Sequence, residues 1–200
     1  MSKVYLDARK LWEHFIQDDP DKILSIEYSS EEPTDSARNV AQAGQKFLFA
    51  DFKDGRIIIY TTADETIVSE DISCLFHWCN NLTDISTLEK WNTSRVKNMM
   101  NLFNGCEKLT DISSLKNWDV SNVENMDAAF TDCRSLTEIS PLEKWNTSKV
   151  DGMIQMFCRC ENITDITPIS NWDVSHVTTF ERMFTRCNRL SSIQSLRKWK

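Results

Sequence analysis

The chain is poor in the residues that build catalytic loops. It has four glycines and three histidines in 200 residues, too few glycines in any one stretch for a phosphate-cradling loop. His14, His77 and His176 are scattered, and none sits in a nucleophile motif. No apolar run approaches the roughly 18 residues that a membrane helix requires. The start, Met1-Ser2-Lys3-Val4-Tyr5-Leu6-Asp7, lacks the apolar core of a signal peptide, so a cytoplasmic location is expected. The seven cysteines are odd in number. Cys158-x-Cys160 has no second Cys or His pair at metal-binding spacing. Neither an enzyme nor a bound cofactor or metal is expected, and the thiols are read as reduced, buried and structural.

What the chain does have is a period. Trp91, Trp118, Trp145, Trp172 and Trp199 lie 27 residues apart, and Cys79, Cys106, Cys133, Cys160 and Cys187 keep step with them. A fixed period of this length marks one supersecondary unit stacked on copies of itself, because a single unit cannot bury its own apolar face. Such stacks present long surfaces and seldom build catalytic pockets, so binding is the expected role.

Within one unit, Val96, Met99, Met100, Phe103 and Cys106 follow helical spacing after Ser94, which predicts a short amphipathic helix. Serines 94, 121, 148 and 175 stand where an N-cap would, and Ser121 with Glu124 spells a capping box. Asn104-Gly105 supplies a stop, in a column continued by Asp132, Arg159 and Arg186.

Leu109 to Leu115 then places apolar residues three apart, in register with copies at Leu82, Leu136, Ile163 and Leu190. Two further columns run alongside, Ile85, Ile112, Ile139, Ile166, Ile193 and Leu88, Leu115, Leu142, Ile169, Leu196. Parallel strands stacked about 4.8 Å apart are the expectation for this segment. The tryptophans alternate between K-W-N-T-S (90–94, 144–148) and N-W-D-V-S (117–121, 171–175). Their regularity favours packing over a ligand platform.

The run W-D-V-S-N-V-E-N-M-D-A-A-F-T-D-C-R-S-L-T-E-I at 118–139 resembles the BspA-type leucine-rich repeat, and the resemblance covers about residues 67–200. It implies an α/β fold, a right-handed leucine-rich-repeat-like solenoid of about five 27-residue coils used for protein recognition, in the family often on bacterial surfaces in adhesion. The first coil is degenerate. Phe76, Cys79, Leu82, Ile85 and Leu88 fit, but Asp64 and Ile67 replace Trp and Ser, as expected where a repeat meets something else.

That something is expected to be a small α+β cap, residues 1–63, ahead of the repeat array at 64–200. A helix is predicted from Tyr5 to Gln17, ended by Asp18-Asp19-Pro20, and a strand from Ile23 to Tyr28. Lys46–Phe52 and Arg56–Thr62 read as a hairpin turned at Asp54-Gly55. Residues 29–45 are left open between loop and short helix.

Charge singles out two surfaces. Asp84, Asp111, Glu138 and Asp165 form an acidic column beside Ser86, Ser113, Ser140 and Thr167. Repeated like charges repel, so a column retained on one face suggests a cationic partner. The formal charge of −7 divides into −12 for residues 1–177 and +5 for 178–200, where Arg182, Arg186, Arg189, Arg197, Lys198 and Lys200 face Glu181 alone.

The leading expectation is a non-enzymatic protein–protein interaction module whose acidic column meets another protein with a basic surface. No direct nucleic-acid or membrane contact is expected. Two alternatives stand beside it. One is an intracellular inhibitor of phage or mobile-element type that blocks a nucleic-acid-handling enzyme by acidic mimicry, and the other is a fragment of a bacterial surface adhesin. A homo-oligomer through the basic C-terminal coil is a separate expectation.

Overall fold

The computed structural model describes residues 2–45 and 48–199. Its N-terminal part carries the single α-helix found among those residues, and no helix there is long and apolar enough to cross a membrane. Strand β1 (Lys3–Leu6) leads directly into α1 (Ala8–Phe15). The helix is therefore shorter than Tyr5–Gln17, because the Asp7 carboxylate accepts from the N–H groups of Arg9 and Lys10 and fixes the start after β1. Strands β2 (Ser25–Ser29), β3 (Arg38–Asn39), β4 (Phe49–Lys53) and β5 (Arg56–Tyr60) form a mixed sheet in the order β2-β5-β4-β3. The β4–β5 hairpin turns at Asp54 and Gly55, both at positive φ (52° and 82°), as the sequence requires of a tight turn. The open stretch 29–45 holds β3 and otherwise no helix among its residues. Lys46 and Phe47, the predicted start of the hairpin, lie outside the described residues.

A second sheet, in the order β1-β6-β7, joins this region to the 27-residue units. Strand β6 (Glu65–Val68) pairs in parallel with β1 on one side and with β7 (Trp91–Asn92) on the other. The sheet thus crosses the expected boundary at residue 63. At this seam Tyr28 Oη donates to Thr66 Oγ1 at 2.7 Å, and burial pushes the phenol pKa up to about 12. The Leu24 carbonyl accepts from the N–H groups of Thr83 and Asp84.

From residue 70 onward the expected amphipathic helices are absent. The segments at 72–79, 99–106, 126–133, 153–160 and 180–187 are successive tight turns. Alternate N–H groups close turns three residues back: Leu102 to Met99, Asn104 to Asn101, Cys106 to Phe103. The N–H groups between them reach the next unit instead. Asn101, Phe103 and Gly105 donate to the carbonyls of Asp127, Ala129 and Thr131 at 2.8–2.9 Å, and Ala128, Phe130 and Asp132 repeat the pattern onto Ile154, Met156 and Cys158. An α-helix would have spent all of these donors internally.

The helical reading failed because the same spacing satisfies both conformations. Val96, Met99, Phe103 and Cys106 point inward in the turn ladder, joined by Leu102, while Met100 is half-exposed. The serines cap no helix. Their own N–H groups donate to the side chain two residues earlier, Asn92, Asp119, Asn146 or Asp173. The ladder also puts every fourth residue at positive φ: 101 and 105, 128 and 132, 155 and 159, 182 and 186. Gly105 is the one glycine among these positions. A Cβ there would lie 2.7 Å from the Trp78 ring.

The parallel strand expected over Leu109–Leu115 is likewise absent. That segment ends in a 3-10 helix at Ser113–Leu115, with counterparts at Ser86–Lys90, Ser140–Leu142, Thr167–Ile169 and Gln194–Leu196. Parallel pairing between units is one residue wide and lies elsewhere, at Asp71, Asn98, Asn125, Gly152 and Thr179.

The predicted apolar columns do form the core. Phe76, Phe103, Phe130, Phe157 and Phe184 stack at centroid distances of 5.4 to 5.9 Å. The thiols of Cys106, Cys133, Cys160 and Cys187 each donate to the phenylalanine carbonyl 30 residues earlier. Trp91 stacks on Trp118 at 6.1 Å and Trp145 on Trp172 at 6.2 Å. The indole N–H groups of Trp118, Trp145 and Trp172 donate to the carbonyls of Leu88, Leu115 and Leu142, each at 3.0 Å. Only the fifth unit is less closed: Phe184 and Leu190 are half-buried and Ile193 is 62% exposed.

Burial along the phenylalanine column sets a gradient of stability. Phe130→Ala should cost about 3–5 kcal/mol, since its ring is covered on both faces. Phe184→Ala, the same deletion at a half-buried ring, should cost well under half as much. Urea titrations of the two variants measure the difference.

Candidate functional site

The acidic column is exposed along its whole length. Asp84, Asp111, Glu138 and Asp165, with Ser86, Ser113, Ser140 and Thr167, all face solvent. The structure gives the carboxylates a local task that sequence reading missed. One oxygen of Asp84, Asp111 and Asp165 accepts from the backbone N–H two residues on, at Ser86, Ser113 and Thr167, each at 2.8 Å. These bonds close the turn that enters each 3-10 helix. The Thr167 bonds hold the Asp165 carboxyl below its usual pKa. Glu138, one methylene longer, accepts instead from Ser140 Oγ at 2.6 Å. The side chains themselves are exposed, with one oxygen of each aspartate fixed by its backbone bond. Between the second and third members lies a shallow cavity of about 340 Å³, lined by Thr110, Asp111, Ser113, Thr137, Glu138 and Ser140. The arrangement offers a row of oriented acceptors and no nucleophile or proton relay.

The basic residues are less of a unit. Arg182, Arg186, Arg189, Arg197 and Lys198 are exposed, and Lys200 lies outside the described residues. Arg182 Nε is 3.4 Å from the Glu181 carboxylate, and Arg189 Nη1 donates to Asn162 Oδ1 at 3.4 Å. Arg182 and Arg186 belong to the turn ladder, whereas Arg197 and Lys198 come after the last 3-10 helix. A tighter charged cluster, unforeseen in the sequence, sits on the ladder just before them. Asp132 meets Arg134 at 3.0 Å and Arg159 Nε at 2.8 Å, the latter close enough for ion pairing though the N–H points off the hydrogen-bond line. Its signal was the Asp132–Arg159–Arg186 column, which reads as a helix stop only if a helix is assumed.

The remaining candidates are structural. Trp91, Trp118, Trp145 and Trp172 are buried, and Trp91 stacks on Trp118 and Trp145 on Trp172, so these faces are covered by protein. All seven cysteines are free, and six are buried. Burial raises the Cys79 thiol to about 12 and Cys187 to about 11, and drives Cys106, Cys133 and Cys160 well above 9. Unfolding releases these thiols to ionise near 9, so above that pH the unfolded chain binds fewer protons than the folded one. The thiols' contribution to stability should therefore be constant through neutral pH and be lost as pH rises from about 9 toward 12. Guanidinium titrations at stepped pH measure that slope, and Cys106→Ala should reduce it. A thiol reagent at pH 8 should label half-buried Cys74 in the folded protein and the other cysteines only on unfolding.

A search of curated proteins and a search of solved structures return no match to the chain. A family profile matches residues 70–199, the stretch that holds the turn ladder, the acidic column and the aromatic stacks. That family is found in BspA-like proteins, which agrees in broad terms with the repeat resemblance. The chain belongs to the family described as "Mycoplasma protein of unknown function, DUF285".

Proposed function

We propose that the chain is a non-enzymatic interaction module in which a right-handed leucine-rich-repeat-like solenoid binds another protein of basic surface through the acidic column. One observation carries this reading. Carboxylates recur at the same place in four successive units, exposed, and three of them are locked in direction by a backbone N–H. Turn closure alone does not require a carboxylate, since Asn accepts the same bond, as Asn92 and Asn146 do for Ser94 and Ser148. Four negative charges on one line cost mutual repulsion that four asparagines would avoid. A cationic partner offsets that repulsion and makes use of the fixed acceptors.

The turn bonds decide how the reading is tested. Charge reversal at Asp111 removes the acceptor for Ser113 N–H along with the charge, so it perturbs the fold locally. Asp111→Asn with Glu138→Gln keeps acceptors in place and removes charge alone. With a partner captured by the wild-type chain, the double variant should bind about tenfold more weakly at low salt, with its melting temperature unchanged. The wild-type affinity should itself fall as salt rises. Equal affinity of the two proteins at low salt would sink the proposal.

A further inference from the structure

Each turn ladder is entered through one more bond that recurs with the 27-residue period. The side chain just ahead of the ladder accepts from the backbone N–H two residues on. Asp71 accepts from Ser73, Asn98 from Met100 and Asn125 from Asp127 at 2.8–3.0 Å, and Thr179 from Glu181 at 3.2 Å. These are also the positions of the one-residue parallel pairing between units. The fourth unit has Gly152 there, with no side chain to accept.

The N–H that Gly152 leaves behind is that of Ile154, and it is paired all the same. Asp127, one unit earlier, reaches across the junction and accepts from it through Oδ1 at 2.7 Å. The Ile154 carbonyl in turn accepts from the Ala128 N–H at 2.8 Å, so the third unit holds both backbone groups of Ile154. Gly152 lacks the positive φ of Gly44, Gly55 and Gly105, so its backbone does not require glycine. Space does. A Cβ at 152 would stand 3.0 Å from Asp127 Oδ1 and 3.1 Å from its Cγ and Oδ2. The Asp127 carboxylate thus fills the room of the missing side chain and performs its task.

This pairing distinguishes one neighbour from another, which the rest of the stack does not. Every unit offers the same ladder carbonyls and the same apolar columns, and units of like sequence can stack out of order, a characteristic failure of repeat proteins. With the fourth unit placed on the second, Met100 would stand where Asp127 does and the Ile154 N–H would lose its acceptor. With the fifth placed on the third, Asp127 would meet Thr179, whose side chain takes up the space that Gly152 leaves open and already closes its own turn. Only the third unit on the fourth satisfies both. We propose that Asp127 and Gly152 form a registry pair, a device built into the fold that fixes the order of the units as the array assembles.

The test joins hydrogen exchange of the full chain to its recovery after dilution from urea. Asp127→Ala should speed exchange of the Ile154 amide about tenfold or more, the loss of a hydrogen bond to a charged group, and leave the Ser73 and Met100 amides unchanged. Asp127→Ala with Gly152→Asn gives the fourth unit a closing side chain of its own. That double variant should regain protection at Ile154, yet recover fewer native chains than the wild type, because its second, third and fourth units then all enter their ladders through asparagine and no longer differ at this point. An Ile154 amide unaffected by Asp127→Ala would overturn the proposal. So would a double variant that stays unfolded or leaves Ile154 unprotected, since the carboxylate would then not be standing in for the missing side chain. Equal recovery of the double variant and the wild type would remove the registry role while leaving the bond in place.

Discussion

The donation of alternate backbone N–H groups to carbonyls 26 positions ahead is the constraint on which the rest of the array depends. A helix satisfies its backbone within one segment and tolerates loops of varied length on either side. This ladder does not, because each donor's partner belongs to the next unit at a fixed offset. Insertion of one residue within the ladder of a unit would break the 26-residue offset to its neighbours and move that unit's thiol off its phenylalanine carbonyl. The unbroken 27-residue spacing of tryptophan and cysteine is the sequence trace of that requirement. It also accounts for how residues other than glycine persist at positive φ, where each costs about 1–2 kcal/mol. The inter-unit bonds and stacked rings overdetermine the conformation.

Much of the architecture was legible in the sequence, and the remainder was hidden for an identifiable cause. Period, registration of the apolar columns, the β4–β5 hairpin and the structural role of the cysteines came out of residue spacing. The conformation inside each unit did not. Spacing of i, i+3, i+4 and i+7 records which side chains point inward, and a chain of tight turns produces the same record as a helix. The two are separated by the destination of the backbone N–H groups, which side-chain patterns do not encode. A clue lay in the residues at positions 105, 132, 159 and 186: Gly, Asp, Arg and Arg share no helix-stop chemistry, yet all occupy one left-handed position.

The acidic column was legible as a column but not as a set of turn anchors. A carboxylate followed two residues later by Ser or Thr is common, and only the observed N–H bonds show that it closes the entry to a 3-10 helix. The Glu138 exception is informative here. With its longer side chain it reaches a hydroxyl rather than the N–H, and the 3-10 helix at Ser140–Leu142 forms all the same. The proline at 141 sets the backbone of that turn without help from the preceding side chain. Charge is thus retained at a position where turn geometry no longer demands it.

The seam at β6 shows how a stacked array can begin. Each unit needs a neighbour on the side of its tryptophan and 3-10 helix, and the N-terminal region supplies one through β6, Leu24 and Thr66 rather than through a copy of the repeat. Because it is not a copy, its carbonyls do not all fall where a leucine carbonyl would. The backbone is matched over Thr66–Trp91 and Ile67–Asn92, but the Trp91 indole is not. At this seam a side chain stands where the array uses a backbone carbonyl: Tyr28 Oη lies beside the Trp91 indole, whereas the indoles of Trp118, Trp145 and Trp172 donate to the preceding unit and hold one unit to the next.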